Sequence, residues 1–132
     1  MTARILLVED NEQNRYLATF LLEKGGFTVL HATNGDQALE RACAVRPDLI
    51  VMDLQMPAMD GYEAARRIRA IPELTAVPLV AVTSYAMAGD REKALACGFA
   101  GYIEKPISTE TFVAEIEQFL PRRETIDENL GR

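Results

Sequence analysis

The sequence contains few of the residues from which disulfide frameworks and transition-metal sites are built. Its 132 residues include two cysteines, one histidine and no tryptophan. Cys43 and Cys97 have no CxxC spacing, so neither a disulfide framework nor a zinc site is indicated. We expect both to be small, buried helix residues in a reducing compartment. His31 follows the second apolar run, and we expect it to be a solvated residue at a sheet edge.

Long hydrophobic runs and an excess of positive charge are also absent. The longest apolar runs, residues 49–52 and 77–82, are far shorter than the roughly 18 residues that cross a bilayer. Residues 1–4 lead directly into another short run, with no secretory h-region. The 14 basic and 20 acidic side chains give a net charge of −6, which argues against a nucleic-acid-binding face. We therefore expect a cytoplasmic protein that binds neither membranes nor nucleic acids.

Short apolar runs alternate with helical patterns about five times along the chain. The runs are residues 5–8, 27–30, 49–52, 78–83 and 100–103. Runs that are apolar on both faces and alternate with helices are typical of a parallel sheet covered on both sides. Since the crossovers in such sheets are right-handed, the pattern predicts a doubly wound, three-layer α/β domain.

Helical patterns fill the segments between these runs. Leu17, Phe20 and Leu21 recur at helical spacing and indicate the first helix. We expect the domain to span residues 1–120. Residues 121–132 have little to bury, and we expect them to form a flexible C-terminal tail.

Chemically active side chains follow four of the five predicted strands. Glu9 and Asp10 follow the first strand, Asp53 the third, Thr83 the fourth and Lys105 the fifth. Ligands of such folds bind outside the carboxyl ends of the strands, so we expect these side chains to converge there. Each residue alone is more often a helix cap or a solvated loop charge. The joint pattern indicates a site.

Three carboxylates in one pocket require a compensating cation. Two carboxylates about 5 Å apart repel by roughly 3 kcal/mol at an effective dielectric constant of about 20, and Lys105 alone cannot neutralise three. Mg²⁺ binds one or two carboxylates and keeps positions open for phosphate oxygens. The pattern predicts an acidic Mg²⁺ site in which Lys105 and Thr83 hold a further anion and a carboxylate attacks phosphoryl groups.

The motifs around these residues resemble those of the receiver domains of bacterial two-component response regulators. The resemblance covers residues 4–120 and rests on residues 5–11 (ILLVEDN), 53–57 (DLQMP), 60–61 (DG), 82–84 (VTS) and 102–106 (YIEKP). It implies the flavodoxin-like (βα)5 fold, with five helices and a five-stranded parallel sheet in the order 2-1-3-4-5. It also implies a cis peptide bond between Lys105 and Pro106.

The resemblance also implies a phosphoacceptor and a metal site. Asp53 would receive a phosphoryl group from a histidine kinase or a histidine phosphotransfer protein. The domain would then signal rather than act as an enzyme, apart from slow self-dephosphorylation. Asp10, Asp53 and the backbone carbonyl of Gln55 would bind Mg²⁺ directly, and Glu9 would bind it through a water molecule.

The remaining roles concern the phosphoryl group and the output. Thr83, Ser84 and Lys105 would bind the phosphoryl group, and Tyr102 would turn inward as a switch when Thr83 moves. A surface over residues 86–119 would then bind a downstream protein partner, such as a kinase or regulator. Gln55 and Tyr85 would flank the water that hydrolyses the acyl phosphate. We hypothesise that the bulky Tyr85 impedes this water and lengthens the phosphorylated lifetime.

Three other functions would use the same architecture. A flavodoxin-type cofactor site usually has Ser, Thr and Gly in the first loop, whereas residues 9–12 (EDNE) would repel a phosphate unless Mg²⁺ intervened. An aspartyl-phosphate phosphatase places a second acid two residues after the nucleophile, where this chain has Gln55. A receiver fold that binds partners without phosphorylation is the third alternative.

No segment long enough for an output domain follows residue 120. We therefore expect a stand-alone, single-domain regulator that is a monomer or a weak dimer. Residues 10–11 and 86–90 resemble the DivK-type cell-cycle regulators more than the chemotaxis (CheY) type.

Overall fold

The structure is a computed structural model that describes residues 2–56, 58–84 and 87–120. Within these ranges the chain forms five strands and five helices in alternation. The strands are β1 (Arg4–Val8), β2 (Thr28–Ala32), β3 (Leu49–Asp53), β4 (Leu79–Thr83) and β5 (Gly101–Glu104). The helices are α1 (Glu12–Lys24), α2 (Gly35–Val45), α3 (Gly61–Arg69), α4 (Asp90–Ala96) and α5 (Phe112–Glu117), and a short 3₁₀ helix (Pro72–Leu74) precedes β4. The predicted tail, residues 121–132, lies outside the described residues.

All five strands are parallel and lie in the order β2-β1-β3-β4-β5, which confirms the predicted topology. Leu6 of β1 is paired with Leu30 on one side and Ile50 on the other. Strands β3 and β4 are buried along their whole length. This explains why their sequences are continuous apolar runs rather than alternating patterns.

Each face of the sheet packs against its own layer of helices. Leu6 and Val8 of β1 pack with buried residues of α2, α3 and α4, including Ala38, Ile68 and Ala94. Ile5 and Leu7, which point to the opposite face, pack instead with Leu22 of α1 and Phe112 of α5. The predicted doubly wound, three-layer arrangement is therefore confirmed.

Helix α1 has apolar residues on two sides, and the structure buries only one of them. Its buried face consists of Ala18, Leu21 and Leu22. Leu17 and Phe20 also indicated the helix from their spacing, but they are 37% and 52% exposed. Tyr16 is 74% exposed. Because both sides repeat at helical spacing, periodicity alone does not distinguish the buried side from the exposed one.

Three side chains lie in environments that differ from the prediction. Cys43 is exposed and Cys97 is half-buried, so the expectation of two buried cysteines is wrong. Helix α2 turns Ala38 and Ala42 towards the sheet, which leaves Cys43 on its outer side. His31 does lie on the edge strand β2, but it is half-buried, and its Nε2 atom lies 2.9 Å from the Thr19 hydroxyl oxygen.

Two local features fix the loops at the carboxyl edge of the sheet. The Asn11 side chain accepts a hydrogen bond from the backbone N–H of Asn14 and caps α1 directly after the β1 loop. Gly61 begins α3 against the end of β3, where a Cβ atom would lie 2.7 Å from the carbonyl oxygen of Asp53. The peptide bond between Lys105 and Pro106 is cis, as the resemblance implies.

No helix among the residues described has the length and apolar character that a membrane span requires.

Candidate functional site

The carboxyl ends of neighbouring strands bring three carboxylates together. Asp53 is the last residue of β3, and Glu9 and Asp10 directly follow β1, which pairs with β3. One carboxylate oxygen from each of these residues lies within 4.8 Å of the other two. We refer to these three residues as the acidic site. The convergence predicted from the strand ends therefore occurs.

The ammonium group of Lys105 faces the acidic site. Its Nζ atom donates a hydrogen bond to Glu9 Oε1 at 2.8 Å and lies 3.4 Å from Asp53 Oδ2. The second Glu9 oxygen accepts a hydrogen bond from the backbone N–H of Asn11 at 3.1 Å. Glu9 is therefore held from two directions, and it is only 4% exposed.

Asp53 lies in an environment that favours its neutral form. Burial raises its pKa from 3.8 to about 6, and the neighbouring negative charge of Glu9 acts in the same direction. A hydrogen bond from the Gln55 backbone N–H to Asp53 Oδ1, at 3.0 Å, opposes this shift, as does the charge of Lys105. Burial and the charge of Glu9 therefore outweigh the charge of Lys105 in their effect on the pKa of Asp53. An additional cation would therefore favour ionised Asp53.

The donor atoms of this site suit a hard divalent cation. They are carboxylate oxygens, Asp10 is open to solvent, and the backbone carbonyl of Gln55 lies two residues beyond Asp53. Neither a thiol nor an imidazole belongs to the acidic group. An all-oxygen set with one exposed side matches the preference of Mg²⁺ for a few protein ligands together with water.

A second set of polar contacts lies beside the acidic site, at the end of β4. The Thr83 hydroxyl donates a hydrogen bond to Gln55 Oε1 at 2.9 Å, and the Ser84 backbone N–H approaches the same oxygen at 3.4 Å. Thr83 is 1% exposed. The side chain of Gln55 therefore connects the loop after β3 with the loop after β4.

Tyr102 of β5 occupies a buried position and is 8% exposed. Its hydroxyl is buried and has no hydrogen-bond partner among the described residues. The guanidinium of Arg91, on α4, lies 5.3 Å from the ring centroid, within the range of a cation–π contact. Burial, followed by the negative charge of Asp90, raises the pKa of the Tyr102 phenol.

A sequence model of the response regulator receiver domain matches residues 5–117, which is most of the chain. The chain belongs to the receiver-domain family. Receiver domains of this family are modules of bacterial two-component signalling. The receiver is 40% identical over 120 residues to the polar-differentiation response regulator DivK of Brucella anthropi. That match covers 91% of this chain and 98% of the relative. DivK of Brucella ovis is 39% identical with the same coverage.

Solved structures resemble the receiver over about nine-tenths of the chain. The chemotaxis protein CheY4 of Vibrio cholerae matches with a TM-score of 0.86 and 28% identity, over 91% of this chain and all of that one. The receiver domain of the sensor histidine kinase PA1611 of Pseudomonas aeruginosa matches with a TM-score of 0.83 and 36% identity, over 90% and 98% of the two chains. That structure has a magnesium ion coordinated in its active site cleft.

The structure brings together most of the residues that the sequence singles out. Glu9, Asp10, Asp53 and Lys105 share one site, and Thr83, Ser84 and Gln55 lie beside it. Tyr85 lies outside the described residues, so its predicted role in dephosphorylation stays a prediction.

The sequence did not indicate two of the contacts in this region. Lys105 lies closer to Glu9 than to Asp53, although its predicted role concerns the phosphoryl group. Arg91 contacts Tyr102 from a helix eleven positions away in sequence. The first four residues of α4 alternate in the sign of their charge, which is typical of any solvated helix. This pattern therefore does not predict a contact between Arg91 and Tyr102.

Proposed function

We propose that this receiver accepts a phosphoryl group on Asp53 from a histidine kinase or a histidine phosphotransfer protein. The observation that carries the proposal is the placement of Asp53 in the acidic site, 3.4 Å from the Lys105 ammonium group. An Asp53 oxygen would form the new bond to phosphorus while the bond from phosphorus to the donor imidazole breaks. The imidazole would leave with the electron pair of the broken bond.

The receiver's own residues would bind and orient the transferred group. Lys105 would bind one phosphoryl oxygen, and the Thr83 hydroxyl and the Ser84 backbone N–H would donate hydrogen bonds to others. These groups are preformed donors beside the place where negative charge develops, which is how phosphoryl transfer is generally assisted. Their positions at the ends of β4 and β5 support this role.

We assign the metal ligands to Asp10, Asp53 and the Gln55 backbone carbonyl, with Glu9 acting through a water molecule. The all-oxygen donors and the raised pKa of Asp53 support a divalent cation there. Bound Mg²⁺ would neutralise charge on the acidic site and on the incoming phosphoryl group. The magnesium ion in the active site cleft of the Pseudomonas receiver domain supports a divalent cation at this site.

We further propose that phosphorylation is read out at the surface formed by residues 86–119. Met87 is 73% exposed and Leu95, on α4, is 50% exposed. Tyr102 lies beneath α4 through its contact with Arg91. Movement of Thr83 would be transmitted to Tyr102 and then to α4, where a protein partner would bind.

Phosphorylation by acetyl phosphate tests the proposal. The wild type should gain one phosphoryl group by intact mass in the presence of Mg²⁺ and none when the metal is chelated. Asp53→Asn should gain none under either condition. Asp36→Asn is a matched control, because Asp36 is an exposed carboxylate on α2 that does not belong to the acidic site. Equal incorporation by Asp53→Asn would refute the assignment of Asp53. A failure of the wild type to react would favour a receiver that binds partners without phosphorylation.

A further inference from the structure

The oxygen of the Gln55 side chain lies where two hydrogen-bond donors converge. The Thr83 hydroxyl and the Ser84 backbone N–H both point to Gln55 Oε1, at 2.9 and 3.4 Å. A backbone N–H can only donate, so the atom that faces it is the amide oxygen rather than the amide nitrogen. The same residue also donates its own backbone N–H to Asp53 Oδ1 at 3.0 Å. Gln55 is therefore bonded to the acceptor aspartate and to the donors on β4.

The two donors held by Gln55 are the ones that the proposed function assigns to the phosphoryl group. A hydroxyl has one hydrogen and a backbone amide has one hydrogen, so each donates one full hydrogen bond at a time. A phosphoryl oxygen on Asp53 would therefore have to displace Gln55 Oε1 from Thr83 and Ser84. A charged acceptor forms the stronger bond, so the exchange is favourable once the phosphoryl group is in place.

We propose that Gln55 is a positioning residue that holds the Thr83 hydroxyl and the Ser84 amide in the resting state, in competition with the phosphoryl group. This inference rests on the proposed function of Asp53. This positioning role differs from the role in hydrolysis that the sequence predicts for Gln55. It affects how tightly the phosphoryl group binds, before any water molecule attacks it. The reach of the side chain is essential: asparagine carries the same amide but is one methylene shorter.

The competition sets the expected size of the effect. A neutral hydrogen bond contributes about 1 kcal/mol net, which corresponds to about a fivefold change in an equilibrium constant. Removing the Gln55 amide should therefore tighten binding of a phosphoryl mimic about fivefold. The change should depend on Thr83, since its hydroxyl makes the shorter of the two contacts.

Beryllofluoride binding with excess Mg²⁺ tests the inference without hydrolysis. Gln55→Ala should bind beryllofluoride about fivefold more tightly than the wild type. Gln55→Asn should behave in the same way, which keeps the test valid if the alanine variant folds poorly. Gln118→Ala is the matched control, because Gln118 is an exposed glutamine at the end of α5. In a Thr83→Ala background, adding Gln55→Ala should change the affinity by less than about twofold.

The outcomes separate this inference from the proposed function. If the wild type binds no beryllofluoride, the proposed function fails and the inference fails with it. If the wild type binds it and both Gln55 variants bind equally or more weakly, only the inference fails. Mg²⁺ affinity is also measured without beryllofluoride in the wild type and Gln55→Ala, because the backbone carbonyl of Gln55 is a proposed metal ligand. A parallel gain in Mg²⁺ affinity would assign the tighter binding to the metal and overturn the inference.

Discussion

The raised pKa of Asp53 opposes the role that we propose for this residue. Burial at the end of β3 and the charge of Glu9 raise its pKa to about 6. A phosphoacceptor, however, needs an ionised oxygen to attack phosphorus. The positive charge that a metal would add resolves the conflict, because it lowers the pKa of a nearby carboxyl. The chemistry of Asp53 should therefore depend on both pH and metal.

The pH dependence of the unfolding free energy should show that ionised Asp53 destabilises the folded state. Its folded pKa, about 6, lies above its unfolded value near 3.8. The folded chain therefore holds a proton that the unfolded chain releases, and this group's contribution lowers the unfolding free energy as pH rises from about 4 to about 6. In metal-free buffer at pH 7.5, Asp53→Asn should be more stable than the wild type by about 1 to 3 kcal/mol, the upper figure being the full effect of a two-unit shift. Urea unfolding at pH 4.5 and 7.5 measures the difference.

The same unfolding measurements at two pH values provide a control. The stability difference between Asp53→Asn and the wild type should be about threefold smaller at pH 4.5 than at pH 7.5, because it develops between the unfolded pKa near 3.8 and the folded pKa of about 6. Asp36→Asn should follow the wild type at both pH values. A constant difference across this pH range would contradict the assignment, because it would indicate a packing effect of asparagine rather than the removal of a charge.

At the scale of the elements, the sequence predicts the sheet more accurately than the helix faces. Strands β3 and β4 are recognisable because both of their faces are buried, which requires unbroken apolar runs. Asp53 and Thr83 are then placed by topology, since parallel strands end at one edge. The buried face of α1 is not predictable in this way, because Leu17 and Phe20 offer an alternative apolar side.

Side-chain contacts between segments that are distant in sequence also cannot be predicted from the sequence pattern. The bond from Thr83 to Gln55 depends on the rotamers of both residues and on the path of the loop after β3. No periodicity or spacing encodes such a choice. The identities of the site residues were therefore predictable, whereas their pairing required the structure.

The exposed side of α1 gives a prediction about the phosphodonor. Tyr16, Leu17 and Phe20 are exposed apolar side chains of α1, and Leu17 also lines a cavity together with Asp53 and Lys105. A protein donor must bring its phosphohistidine close to Asp53, so we expect it to cover these side chains. Phe20→Ala should slow phosphotransfer from a histidine phosphotransfer protein about tenfold, in line with the loss of a buried interface aromatic.

The small donor acetyl phosphate is the control for this effect. It does not need a protein interface, so Phe20→Ala should react with it at the wild-type rate. Leu95→Ala matches Phe20→Ala as an exposed apolar residue on another helix, and it should not slow either reaction. Equal slowing with both donors would mean that the substitution disturbs the acidic site itself.

At the scale of the whole molecule, the acidic site lies where the two helical layers meet the carboxyl edge of the sheet. Residues of β1 and β3 contribute to the packing on both faces, and both strands end in the site. Unfolding therefore separates the three carboxylates. A cation bound by them is lost on unfolding, which couples the metal affinity to the stability of the entire domain.

Mg²⁺ should therefore raise the thermal stability of the wild type in a saturable way. At a hundredfold excess over its dissociation constant, the coupling amounts to about 2.7 kcal/mol. For a domain of this size that corresponds to a rise in Tm of roughly 10 °C. Asp10→Asn removes an exposed carboxylate, proposed as a metal ligand, without disturbing the core, and it should lose most of the rise. Differential scanning calorimetry over a Mg²⁺ series at pH 7.5 measures both proteins.

General screening by salt is the competing explanation for such a rise, because the chain has a net charge of −6. Potassium chloride at matched ionic strength should raise Tm much less than Mg²⁺ does. Asp36→Asn lowers the net negative charge by the same amount as Asp10→Asn, yet it should keep the full response to Mg²⁺. If both variants show the same rise in Tm with Mg²⁺, the rise is caused by the overall charge. If only Asp10→Asn loses the rise, it is caused by binding at the acidic site.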